Sequence, residues 1–114
     1  MAKTLDFNKI NRPHLRVVMT DEAQTVIRVA VPTEELVREL DAALPAMKEL
    51  MATPTPEATA ASYDLTARIM SCNLDDIKVT VDDLRGKYGF NLERLFMFNA
   101  AYKGFINEIN NEKN

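Results

Sequence analysis

The hydrophobic period of this chain changes at Pro32. Before it, apolar residues alternate with polar ones; beyond it, they recur every three or four positions. A period of two buries one face of a pleated strand, and a period near 3.6 buries one stripe of a helix. Leu15, Val17 and Met19 alternate across residues 14–20, and Ile27, Val29 and Val31 do so across 25–31, a stretch rich in β-branched side chains. Between them lies the polar run Asp21-Glu22-Ala23-Gln24, which predicts a β-hairpin whose turn type stays open without an Asn-Gly or Asp-Gly pair. Residues 4–10 also alternate, through Leu5 and Phe7, until Asn11-Arg12-Pro13 interrupts them with a turn or a sheet edge.

Past Pro32 the capping signals of three helices follow in order. Thr33 precedes Glu34 and Glu35, which suits a helix start, and Leu36, Leu40, Leu44, Met47 and Met51 form a stripe beside Val37. Pro45 falls on the opposite side, which predicts a kink or two short helices in succession. Thr53-Pro54-Thr55-Pro56 is a loop, and Thr55-Pro56-Glu57 reopens a helix running toward Cys72, with Asn73 as its stop. Thr80-Val81-Asp82-Asp83 resembles a capping box with aspartate in place of glutamate and opens a short helix ending at Tyr88-Gly89. Asn91 caps the last helix, from Leu92 to about Ile109, whose face is Leu95, Phe98, Tyr102, Phe105, Ile106 and Ile109.

The 114 residues suffice for one core and not for two. The expected architecture is α+β: a mainly helical bundle carrying an N-terminal β-hairpin, as a single domain over 1–114. The hairpin part covers about 1–31, the helical part about 33–110, a loop about 52–56, and a polar tail about 110–114. No apolar run approaches membrane-spanning length, the N-terminus lacks the apolar region of a signal peptide, and Cys72 has no second cysteine to pair with. A cytoplasmic protein without membrane contact is expected.

Two helices have more apolar surface than one core needs. Ala61, Leu65, Ile69 and Cys72 lie along one side of the second helix, and Ala60, Tyr63, Ala67 and Met70 along another. Behind the main stripe of the last helix sit Phe96, Met97, Ala100 and Gly104. A helix that is apolar all round is either central in its domain or sandwiched against a partner. The second alternative makes Phe96, Met97, Ala100 and Gly104 a candidate protein-binding or self-association surface. Glycine weakens a helix by about 1 kcal/mol relative to alanine, so Gly104 hints at close backbone approach.

Groups that could do chemistry are few. His14 is the only histidine and opens a strand; no nucleophile-elbow pattern surrounds Ser62 or Ser71; Cys72 lies on an apolar side with no cation beside it and reads as buried and structural. Asp75-Asp76 and Asp82-Asp83 lack the glycine and ligand spacing of a calcium loop and read as helix caps and solvated charge. Gly86, Gly89 and Gly104 form no phosphate loop, and no zinc set exists. No catalytic residue, cofactor or metal is expected, and hence no enzyme. A net charge of -3 argues against nucleic acid, and the last helix opens with Arg94 beside Glu93 and then turns apolar, unlike a DNA-recognition helix.

One family resemblance covers most of the chain. It is carried by Lys3-Thr4-Leu5-Asp6-Phe7-Asn8-Lys9-Ile10 with Arg12-Pro13, a hairpin, and Pro32-Thr33 opening a helix. Ile69-Met70-Ser71-Cys72-Asn73, Ile77-Lys78-Val79-Thr80 and the run from Ala101-Tyr102-Lys103-Gly104 through Phe105-Ile106-Asn107-Glu108-Ile109 extend it. In these the chain resembles the small tail assembly chaperones of long non-contractile-tailed phages and Gram-positive prophages. The resemblance implies a non-enzymatic protein of the host cytoplasm that binds the tape-measure protein, passes it to polymerising tail-tube protein, and is absent from the mature virion. The family often adds a longer, frameshifted product, and Glu112-Lys113-Asn114 permits a slippery run of adenines in the message. A structural or adaptor component of the tail or head–tail junction is the alternative, and a small DNA-binding regulator is disfavoured by charge.

Overall fold

The computed structural model of the chain describes residues 13–112; the alternation at 4–10 lies outside them. Strands β1 (His14–Val18) and β2 (Val26–Ala30) pair antiparallel, with His14 opposite Ala30 and Val18 opposite Val26. This register puts Leu15 and Val17 on the same face as Val29 and Ile27, and both β2 residues are fully buried. Asp21 organises the turn: its carboxylate accepts from the amide and hydroxyl of Thr25, while Gln24 takes a positive φ of 49°. Val31, expected on the inner face, is 46% exposed because the strand ends at Ala30.

Helix α1 (Glu34–Ala52) begins where Thr33 Oγ1 accepts from the Leu36 amide, and it runs through Pro45 as one element rather than two. Pro45 is exposed, so the carbonyl left without its amide partner can turn to water. The buried stripe is Leu40, Met47 and Leu50; Met51, expected to complete it, is 39% exposed. Both positions lie within about 60° of Met47 around the helix, so angle alone does not separate them; Met51 sits in the last turn of α1, lining an open depression with Phe96 and Met97.

Helix α2 (Pro56–Met70) is capped by Thr55 and carries Pro56 in its first turn. Its C-terminal two-thirds is buried on nearly every side: Ser62, Tyr63, Leu65, Thr66, Ala67, Ile69 and Met70. The helix ends before Cys72, which is only half-buried, a correction to the buried, helical position expected for it. Asn73 holds the following loop closed. Its amide donates to the carbonyls of Met70 and Ile77, and its carbonyl oxygen accepts from the amides of Asp75 and Ile77. That loop lies along the free edge of β2, where Asn73 bridges Val29, the Ala30 amide donates to Cys72, and the Leu74 amide to Arg28.

The expected short helix is a turn at Val81 and Asp82 that widens into a π-helical segment (Asp83–Lys87). Thr80 and Asp83 cap it reciprocally, the Thr80 amide donating to the Asp83 carboxylate and the Asp83 amide to the Thr80 hydroxyl. Gly89 follows at φ +57°, as its position after a helix requires. Helix α3 (Leu92–Glu112) is capped by Asn91, whose side chain accepts from the Arg94 amide, and runs three residues beyond the expected end at Ile109.

α3 packs against α1, α2 and β1, and α2 against β2, giving an α+β fold in which a hairpin sits at one side of a helical bundle. Leu40, Ile69, Met70, Leu84, Leu95 and Tyr102 fill the core with Ile27 and Val29. Among the described residues, no helix is long and apolar enough to cross a membrane.

Candidate functional site

The two surplus apolar flanks have different fates. That of α2 is sealed from Tyr63 onward, with Ala60 exposed near the start of the helix: Tyr63, Ala67 and Met70 are buried, and the Tyr63 hydroxyl donates to the Phe90 carbonyl while the Arg85 guanidinium lies 4.2 Å above its ring. α2 is therefore the central helix of the bundle. Its second apolar side is core.

The flank of α3 stays open. Met97 is 61% exposed, Ala100 and Gly104 are exposed, and Phe96 is half-buried against the core. A Cβ added at Gly104 would meet nothing within 4 Å, so the close backbone approach expected there does not occur within the described chain. The four do not share one depression: Phe96 and Met97 line one, and Ala100 and Gly104 are exposed further along the same helix.

Met97 forms a crest between two grooves. On one side Met51, Leu92, Phe96 and Glu93 line a depression between the end of α1 and the start of α3. On the other, β1 and α3 enclose a groove lined by Leu15, Val17, Val18, Phe90, Met97 and Phe98. Among the described residues its charged lining is Arg16 and Arg94, with no carboxylate. Of the large hydrophobic residues left exposed, Val18 and Met97 both belong to this groove. Val18 falls outside the alternating apolar face, and the run Val17-Val18-Met19, which breaks the alternation, is its only signal in the sequence.

Several of the polar residues weighed for chemistry have structural partners. Asp75 pairs with Arg28, through Nε at 3.1 Å and a second, shorter contact, and this hydrogen-bonded guanidinium holds the carboxyl below its ordinary range. Asp83 caps the π segment. The Ser71 hydroxyl accepts from the Val79 amide and has the Ala67 and Val79 carbonyls in reach of its single proton, and the Cys72 thiol faces the Arg68 carbonyl at 3.5 Å. Arg68 joins Glu39 on α1 and Asp64 on its own helix, and its hydrogen bonds lower the Glu39 carboxyl below its ordinary range. Among the described residues, no group of three or more His, Cys, Asp or Glu side chains could hold a metal ion.

No family model matches the chain, and neither does any curated protein or solved structure.

Proposed function

We propose that this protein is a non-enzymatic phage tail assembly chaperone, acting in the host cytoplasm by contact with the tape-measure protein during tail-tube polymerisation. The observation that carries this reading is the exposed apolar crest at Met97, flanked by Phe96 and Met51 on one side and Val18 on the other. Large side chains each gain roughly 1.5–3 kcal/mol on leaving water, so an exposed cluster of them favours a protein partner. The resemblance quoted above, from Lys3-Thr4-Leu5 to Phe105-Ile106-Asn107, supplies the identity of that partner. Many copies along one long helical rod turn weak single contacts into lasting coverage.

The test is co-expression of this chain with a phage tape-measure protein, whose gene is expected beside its own. The soluble share of the tape-measure protein is expected to rise when the chain is present, and purified particles are expected to lack the chain. An insoluble tape-measure protein in both cases overturns the reading; stoichiometric retention in particles makes the chain a structural component instead.

A further inference from the structure

We propose that the groove between β1 and α3 binds the apolar face of an acidic amphipathic helix. The assignment rests on the chaperone reading and names the surface and the partner chemistry that it leaves open. Three observations converge on it. The groove floor and walls are apolar, supplied by Leu15 and Val17 from β1, Phe90 from the turn, and Met97 and Phe98 from α3. Its rim leaves Val18 49% and Met97 61% exposed, two large side chains with water where a partner would remove it. Among the described residues its charged lining is cationic only, Arg16 on the strand and Arg94 on the helix, in a chain whose net charge is -3.

That charge pattern selects the occupant. An apolar stripe with carboxylates along its edges matches a trough bordered by guanidinium groups, and arginine pairs with carboxylates in a fixed, two-pronged geometry. Arg94 is already aimed by its bond to the Gly89 carbonyl, Nη1 to oxygen 3.0 Å, so part of the binding geometry exists before the partner arrives. A second copy of this chain fits worse. Antiparallel pairing of β1 with its own copy about its centre would set Arg16 opposite Arg16, and like charges directly opposed weaken a strand pair.

The experiment uses the full chain and a fluorescent synthetic helix of about 18 residues, roughly five turns, with a leucine stripe flanked by glutamate. Its twin carries lysine in place of glutamate. The glutamate helix is expected to bind saturably and at least about tenfold more tightly than the twin, a difference of about 1.4 kcal/mol. Val18→Ser with Met97→Ser is expected to weaken it about tenfold or more, and Arg16→Glu with Arg94→Glu to transfer the preference to the lysine helix. Because Arg94→Glu also removes the bond to Gly89, Arg16→Glu alone is measured beside it and is expected to narrow the preference. Absence of saturable binding, equal binding of both helices, or indifference to these substitutions overturns the proposal. So does a concentration-dependent dimer in sedimentation that Val18→Ser with Met97→Ser abolishes, since a second copy would then fill the groove.

The same variants enter the co-expression assay. Solubilisation retained by Val18→Ser with Met97→Ser, without helix binding, removes the groove and leaves the chaperone reading. Binding of the glutamate helix without solubilisation by the unaltered chain does the reverse.

Discussion

The Tyr102 hydroxyl donates a 2.5 Å hydrogen bond to the carbonyl of Ala30, 72 residues earlier in the chain. Tyr102 is fully buried and stacks with Phe98, ring centroids 5.7 Å apart, so one side chain joins the middle of α3 to the last residue of β2. Tyr102→Phe keeps the packing and removes the donor. Thermal or denaturant unfolding is expected to show a loss of about 1–2 kcal/mol.

The same burial makes a pH prediction. Burial raises the Tyr102 hydroxyl well above its ordinary 10.0, with the nearby Cys72 thiol adding to the shift. The unfolded chain therefore ionises first. The associated stability is fully present below about pH 10 and is lost as pH rises through the folded-state value. Unfolding midpoints are expected to drop above about pH 10 in the unaltered chain and less steeply in Tyr102→Phe.

At the acid end the sign reverses. Asp21 is held below its ordinary 3.8 by the Thr25 hydroxyl and amide, Asp75 by Arg28, and Glu39 below its ordinary 4.5 by Arg68. Depressed carboxyls contribute stability above their unfolded values and lose it as pH falls through the folded ones. Midpoints should hold from neutrality to about pH 5 and decline below about pH 4. Asp75→Asn is expected to start lower at neutral pH and to decline less, which a melting series across pH reads directly.

Asn73 satisfies two carbonyls and two amides of its own loop. Asn73→Ala is expected to destabilise the fold by about 2–3 kcal/mol, several hydrogen bonds being lost together. Hydrogen exchange should localise the damage: the amides of Ala30, which donates to this loop, and Leu74, which donates from it to β2, should lose protection before those of α3.

Asn99 and Thr66 are both fully buried between α2 and α3, joined by a 2.9 Å bond from the Asn99 amide to the Thr66 hydroxyl. Among the described residues, the Asn99 carbonyl oxygen has no partner. Thr66 retains its bond to the Ser62 carbonyl whatever occupies position 99. Asn99→Leu is therefore expected to fall within about 1 kcal/mol of the unaltered chain, or to stabilise it, because the orphan acceptor disappears. Asn99→Asp places an unpaired carboxylate in the core and should destabilise by several kcal/mol in denaturant unfolding.

The caps at Thr33, Thr55 and Asn91, the reciprocal pair Thr80 and Asp83, and the left-handed Gly89 were all legible in the sequence, as was the order of hairpin and helices. Each depends on residues within a few positions of one another, and local backbone geometry recognises such neighbours without help from the rest of the chain. Continuity through Pro45 and widening into a π segment were not legible, because packing along α1 and around Leu84 outweighs the local preference.

Periodicity marked Phe96, Met97, Ala100 and Gly104 as surplus, and it marked the second side of α2 in the same way. Only the tertiary structure separated the two, since a sequence records which faces are apolar and not how many neighbours surround them. α2 is enclosed by α1, α3, the hairpin and the segment carrying Phe90, so its flank became core. α3 lies at the boundary with β1 at its side, and that placement joined Met97 to Val18, Arg16 and Arg94 in one groove. The sequence by itself determined the elements, their ends and the amount of apolar surface; three-dimensional packing decided which part of that surface still faces water.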